Sequence, residues 1–136
     1  RNSFLIDEFI ATEFQKGNID AALFSEEEKN IIFHGHCYQK ALSSTTPTKI
    51  MMQIPKNYRV EEIKSGCCGM AGAFGFEKEH YETSMKVGEM VLLPTIRNAD
   101  PNTLITATGT SCRHQIKDGA KKTAYHPVEI LFDALK

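Results

Sequence analysis

Four cysteines carry the plainest chemistry in this sequence: Cys37, the adjacent pair Cys67-Cys68, and Cys112. Thiolates act as nucleophiles, redox partners and soft metal ligands. No CxxC occurs anywhere, so the spacing is that of neither a zinc finger nor a ferredoxin-type cluster motif. Neighbouring Cα atoms stand about 3.8 Å apart, whereas a disulfide usually spans about 4.4–6.8 Å. A Cys67–Cys68 bond would therefore be strained. Two adjacent thiolates fit better as ligands to different metal ions of one centre, or as one ligand beside one reactive group. Gly66, Gly69, Gly72 and Gly75 recur at every third position around the pair, and glycine lets backbone approach a bulky inorganic group. This run matches neither GxGxxG nor GxxxxGK[ST]. Buried free cysteines packing as small hydrophobes and a thiol–disulfide exchanger are the competing readings.

Histidines accompany the sulfurs. His34 and His36 flank Gly35 beside Cys37, His114 stands two residues after Cys112, and His126 precedes Pro127. Alternation along a strand would point His34 and His36 to the same side. Either would ligate a metal or hydrogen-bond a sulfur. The candidate metal-binding set is Cys37, Cys67, Cys68 and Cys112, with His36 and His114 as secondary ligands. His80 is expected at the surface. Arg97 and Arg113 either hold an anion or sit solvated at helix ends. No residue is assigned a catalytic role.

The elements that must position these groups alternate. Phe4 to Phe14 has helical spacing and stops at Gly17. Ile31–His34 reads as a short strand buried on both faces, followed by a helix over Tyr38–Leu42. Lys49–Ile54 reads as a second strand stopped by Pro55, and Tyr58–Ile63 as another short strand or extended segment running into the double-cysteine loop. A long amphipathic helix is predicted from about Glu77 to Arg97, with Tyr81, Met85, Gly88, Leu92 and Ile96 inward and Pro94 kinking or shortening it. Leu104–Ala107 is a strand, Arg113–Lys117 a short helix, and Pro127–Leu135 a helix with Pro in its first turn. Strands alternating with helices predict an α/β fold, a central and mainly parallel sheet flanked by helices. All four cysteines then fall on loops at strand carboxyl ends, where sites form in open α/β sheets.

Composition sets the limits. The chain has 136 residues, 16 basic and 17 acidic, with 41% hydrophobic residues, as expected of one ordinary globular domain. A formal net charge of −1 gives no pull towards nucleic acid. The longest strongly apolar run, Met90–Leu93, is far short of the roughly 20 residues of a transmembrane helix. Four cysteines are too few for a disulfide scaffold, which favours a reducing, cytoplasmic setting. The opening Arg-Asn-Ser, without an initiator Met, suggests a fragment of a longer protein.

Four blocks carry a family resemblance: His34-Gly35-His36-Cys37, Ser65 to Gly72, Gly109 to Gln115, and His126 to Glu129. They resemble the cysteine-rich CCG domain over about residues 31–135. Such domains occur in the B subunit of heterodisulfide reductase, the iron-sulfur subunit of glycolate oxidase and the C subunit of anaerobic glycerol-3-phosphate dehydrogenase. The Thr-Ser-Cys-Arg-His-Gln block also resembles the C-terminal part of large bacterial FAD-linked oxidases of the 2-hydroxyacid dehydrogenase kind. The resemblance implies an iron-sulfur cluster, or zinc, held by the cysteines for electron transfer. FAD would be bound in the parent protein, not here. It implies partners in flavin and ferredoxin-like domains or subunits, and contact with the inner membrane only through such partners. A zinc-stabilised docking module without redox role is the alternative. The chain departs from the family where the last element should read CxxC: Gln115 stands at the second cysteine's position.

Overall fold

The structure is a computed structural model and describes residues 3–136. Three parallel strands form the sheet: β1 (Lys29–His34), β2 (Tyr58–Glu62) and β3 (Leu104–Ala107), in the order β2-β1-β3. The helices are α1 (Ile6–Gln15), α2 (Cys37–Leu42), α3 (Thr46–Met52), α4 (Tyr81–Met90), α5 (Leu92–Asn98), α6 (Thr110–Ala120) and α7 (Pro127–Asp133).

Strand parity divides the core into two layers. Ile31 and Phe33 of β1 join Met51, Met52, Ile54, Ile130 and Leu131 under α3 and α7. Ile32 faces the other way, with Ile105, Ala107, Leu92, Leu93, Ile96 and Ile116 under α5 and α6. His34, two residues after Ile32, shares the second face. The central strand is thus covered on both sides, as its consecutive apolar residues predict.

Lys49–Ile54 is not a strand. Residues Thr46–Met52 are helical, with Pro47 in the first turn and Thr48, Met51 and Met52 buried. Their three- and four-residue spacing is one helix face; a short apolar run alone does not distinguish the two periods. The long helix also breaks. Val91 leaves helical geometry at φ −144°, because Pro94 lacks the N–H to bond the Met90 carbonyl and its ring would clash there. The inner stripe holds at Gly88, Leu92 and Ile96, but Tyr81 at its start is exposed. The helix expected over Arg113–Lys117 is longer at both ends, so Cys112 lies in its first turn. His80 is half-buried and stacks on Phe74, with ring centroids 4.0 Å apart.

α1 docks through a buried polar contact. Asp7 accepts hydrogen bonds from the Thr48 hydroxyl, the Gln39 amide at 3.4 Å and the Glu8 N–H at 3.0 Å. Thr48 is fully buried. Asp7→Ala is expected to strand its hydroxyl and cost about 1–3 kcal/mol, read as a lower urea midpoint at unchanged slope.

Histidine caps two helices. The Nδ1 of His36 accepts the Tyr38 N–H, and that of His126 the Val128 N–H, each at 3.2 Å. Burial, then the Arg113 charge, hold the His126 pKa below its ordinary value, against the opposing pull of Glu129 and Asp7. The unfolded chain therefore takes up this proton first as pH falls below about 6.5. Stability from this group is present at neutral pH and lost on acidification. His126→Asn keeps a capping side chain but cannot titrate. It should flatten the stability-versus-pH curve between about pH 5 and 7, measured by urea titrations against the wild type.

Candidate metal centre

The carboxyl ends of β1 and β3, together with the loop after β2, bring the sulfurs into one neighbourhood. Cys37 opens α2, Cys112 sits in the first turn of α6, and Cys67-Cys68 lie between β2 and α4. All four are free thiols; Cys68 and Cys112 are buried, Cys37 and Cys67 half-buried. Cys37, Cys67 and Cys68 all lie near enough to Cys112 to disfavour its ionisation.

The inner members form a compact group. A ring nitrogen of His34 and the Sγ atoms of Cys68 and Cys112 lie within 4.8 Å of one another. His34 is wholly buried. Its Nδ1 is 2.8 Å from Ser65 Oγ, while its Nε2 has no hydrogen-bond partner among the described residues. A buried, unpaired ring nitrogen is costly. The tautomer sets the ring's role. With Nδ1 donating to Ser65, Nε2 keeps a lone pair free, as in histidines that ligate metals. With the proton on Nε2, the ring acts on the Cys68 thiolate as a donor.

The electrostatics favour one inner thiolate. The neighbouring Cys112 thiol, then His34 and the Met70 N–H, outweigh burial and bring the Cys68 pKa down to about 4. Cys112 moves the opposite way, raised by the Cys68 thiolate and by burial. Burial, then the neighbouring Cys67, raise Cys37. The Gly69 N–H donates to Cys67 Sγ at 3.3 Å, so backbone from the glycine-rich loop turns towards sulfur.

The compact group does not include His36 or His114. Strand β1 ends at His34, so pleat alternation does not extend to His36, whose Nδ1 is occupied as a helix cap. His114 is exposed and meets Phe76 edge-on, with centroids 6.0 Å apart; two residues along a helix from Cys112, it points to another side. Gln115 is no ligand stand-in. Its buried amide donates to Cys68 O and Ser84 O, each at 3.1 Å, and to Ser84 Oγ at 3.0 Å. It clamps the double-cysteine loop to α4. The signal for His34 was its place two residues beyond Ile32, on the face that carries β3's Ala107 and then Cys112.

Three parallel strands with thiols and one imidazole gathered at their carboxyl ends define an α/β domain built around a soft-ligand site. The chain belongs to the cysteine-rich CCG domain family, whose pattern it matches over residues 31–117. D-2-hydroxyglutarate dehydrogenase of Haemophilus influenzae is 30% identical over 138 aligned positions, taking in 93% of this chain and 13% of that protein. The Escherichia coli protein of the same name is 30% identical over 105 positions, 76% of this chain and 10% of its own length. The C subunit of anaerobic glycerol-3-phosphate dehydrogenase from Escherichia coli is 29% identical over 105 positions, covering 77% and 26%. The chain therefore spans only about a tenth to a quarter of these relatives. No solved structure matches it. Among the described residues, no helix is long and apolar enough to cross a membrane.

Proposed function

We propose that this domain holds a metal or iron-sulfur centre through Cys37, Cys67, Cys68, Cys112 and His34, and relays electrons within an FAD-linked dehydrogenase of the 2-hydroxyacid type. The carrying observation is the wholly buried His34, with one ring nitrogen within 4.8 Å of two sulfurs and its Nε2 without a hydrogen-bond partner among the described residues. A metal ion would satisfy that ring and the thiolates together. When bound, an iron-sulfur centre supplies one-electron transfer, with a potential tuned by burial and by hydrogen bonds to sulfur.

The chain's own residues prepare this role. Ser65 fixes the His34 ring, Gly69 N–H and Met70 N–H face sulfur, and Gln115 anchors the loop. The buried inner donors restrict water; the half-buried outer pair lies towards the surface, where an electron partner would approach. Hydride removal from substrate belongs to a flavin held elsewhere in the parent protein, and this chain alone is not the complete enzyme. A cytoplasmic setting follows from the same reading.

A closed zinc site is the second reading, favoured by a donor set of only nitrogen and sulfur. Its module would be structural. The 136-residue chain, purified without oxygen and then reconstituted, separates the two by its iron, acid-labile sulfide and zinc content. Iron with matching sulfide supports electron transfer, and zinc without iron supports the structural module. A chain that binds neither overturns both.

A further inference from the structure

A cavity of about 350 Å³ opens beside His36, between the first turn of α1, helices α2 and α3, the start of α7 and the loop after β3. The chain leaves β1 for β2 on one side and later returns to β3 on the other. The crevice beyond the carboxyl ends of β1 and β3 is thus the topological switch point, where open α/β sheets bind ligands. The volume falls at the small end of the range for ligand pockets, roughly 300–1,000 Å³.

The lining specifies a ligand chemistry. Ile6, Met51 and Pro127 supply apolar wall, and His36 and His126 are the polar rings. Each ring spends Nδ1 as an acceptor from its own helix's backbone. In the neutral rings the proton therefore sits on Nε2, and each ring's second nitrogen is a donor. The wall also contains Asp7, whose carboxylate already accepts three hydrogen bonds from the protein. The nearby Arg113 guanidinium is held by the Ala107 and Thr108 carbonyls, each at 2.9 Å. Donors with no free cation among the described residues of the lining, beside a fixed carboxylate, disfavour an anion and suit an uncharged oxygen acceptor on an apolar body.

We propose that this cavity binds an uncharged, carbonyl-bearing molecule of one or two rings, its oxygen accepting from the Nε2–H groups of His36 and His126. The site adjoins the thiol group. A Cβ on Gly109 would lie 2.5 Å from His36 Cδ2 and 2.9 Å from Cys112 Sγ, so one imidazole and one glycine separate the ligand from the inner sulfurs. Binding here requires no metal and stands or falls separately from the centre.

The test is a titration of the full chain, kept reduced, with 1-indanone, indane and indane-1-carboxylate, followed by 15N shifts of the histidine rings. Expected is saturable binding of 1-indanone below about 1 mM, attainable for a ligand of some ten heavy atoms, with shifts at His36 and His126. Indane and the carboxylate should bind at least about tenfold more weakly, the size of one lost hydrogen bond. His126→Asn, which keeps the cap, should weaken 1-indanone about tenfold. Ile6→Trp, at an exposed position on the rim, should block the cavity without touching the core. Equal binding of indane, preference for the carboxylate, absence of saturable binding, or binding unmoved by Ile6→Trp would each overturn the proposal.

Discussion

Chains carrying His34→Asn, Cys68→Ser or Cys112→Ser are expected to retain less than about a tenth of the wild-type metal after anaerobic purification and desalting. Losing a group that merely orients a ligand usually costs about 10–100-fold in metal affinity; losing a ligand should exceed that. The three positions are buried and their donor atoms lie within 4.8 Å of one another, so solvent has little access to replace the missing donor. Asparagine at position 34 keeps a donor near the place of Nδ1 for Ser65 while removing Nε2, which isolates ligation from packing. Cys37 and Cys67 variants should lose metal less completely, because their half-buried sites admit water. Ser65→Ala should weaken metal binding about 10–100-fold through the freed His34 ring. Normal metal content in all three inner variants, with circular dichroism showing a folded chain, would sink the proposed centre.

Gly69→Ala is expected to destabilise the fold by about 3 kcal/mol or more, among the largest effects of a single substitution. Gly69 has φ +99°, and a Cβ there would stand 2.1 Å from the Ser84 carbonyl oxygen and 3.0 Å from Gln115 Nε2. The first of these is backbone of α4 and cannot swing aside. Two neighbouring glycines calibrate the effect. Gly72 has φ +70° with open space around it, so alanine should cost only the left-handed backbone penalty, about 1–2 kcal/mol. Gly66 has open space and no positive φ, so alanine should change stability by no more than about 0.5 kcal/mol. Urea unfolding of the three variants ranks them. Equal effects at positions 66 and 69 would contradict the close seating of the double-cysteine loop against α4.

That seating explains Gln115. The position reads from sequence as a missing sulfur, yet its amide ties Cys68 O to Ser84 across a helix that lies about thirty residues away in the chain. Gly88 meets the same place: a Cβ on it would be 3.1 Å from Cys68 O. Loop, α4 and α6 thus share one close contact, and the orientation of Cys68 depends on all three.

The amino-acid pattern alone was enough for β1 and β3, for an extended segment at β2, for the parallel sheet flanked by helices and for the placing of every cysteine near a strand's carboxyl end. These are local matters: consecutive apolar residues in β1, glycine punctuation after β1 and β3, and Pro in the first turn of α7 act within a few residues. Lys49–Ile54 escaped because a short apolar run has no period until something packs on it, and Thr48, Met51 and Met52 were sorted onto one face by α1 and α7. Ligand geometry was equally beyond local reading. His34, His36 and His114 are alike in type and nearness to cysteine, and the difference lies in where β1 stops, which nitrogen a cap consumes and which face α6 presents. Burial, backbone hydrogen bonds and contacts between segments 30 to 80 residues apart decide those points. Only the closed tertiary structure brings such segments together.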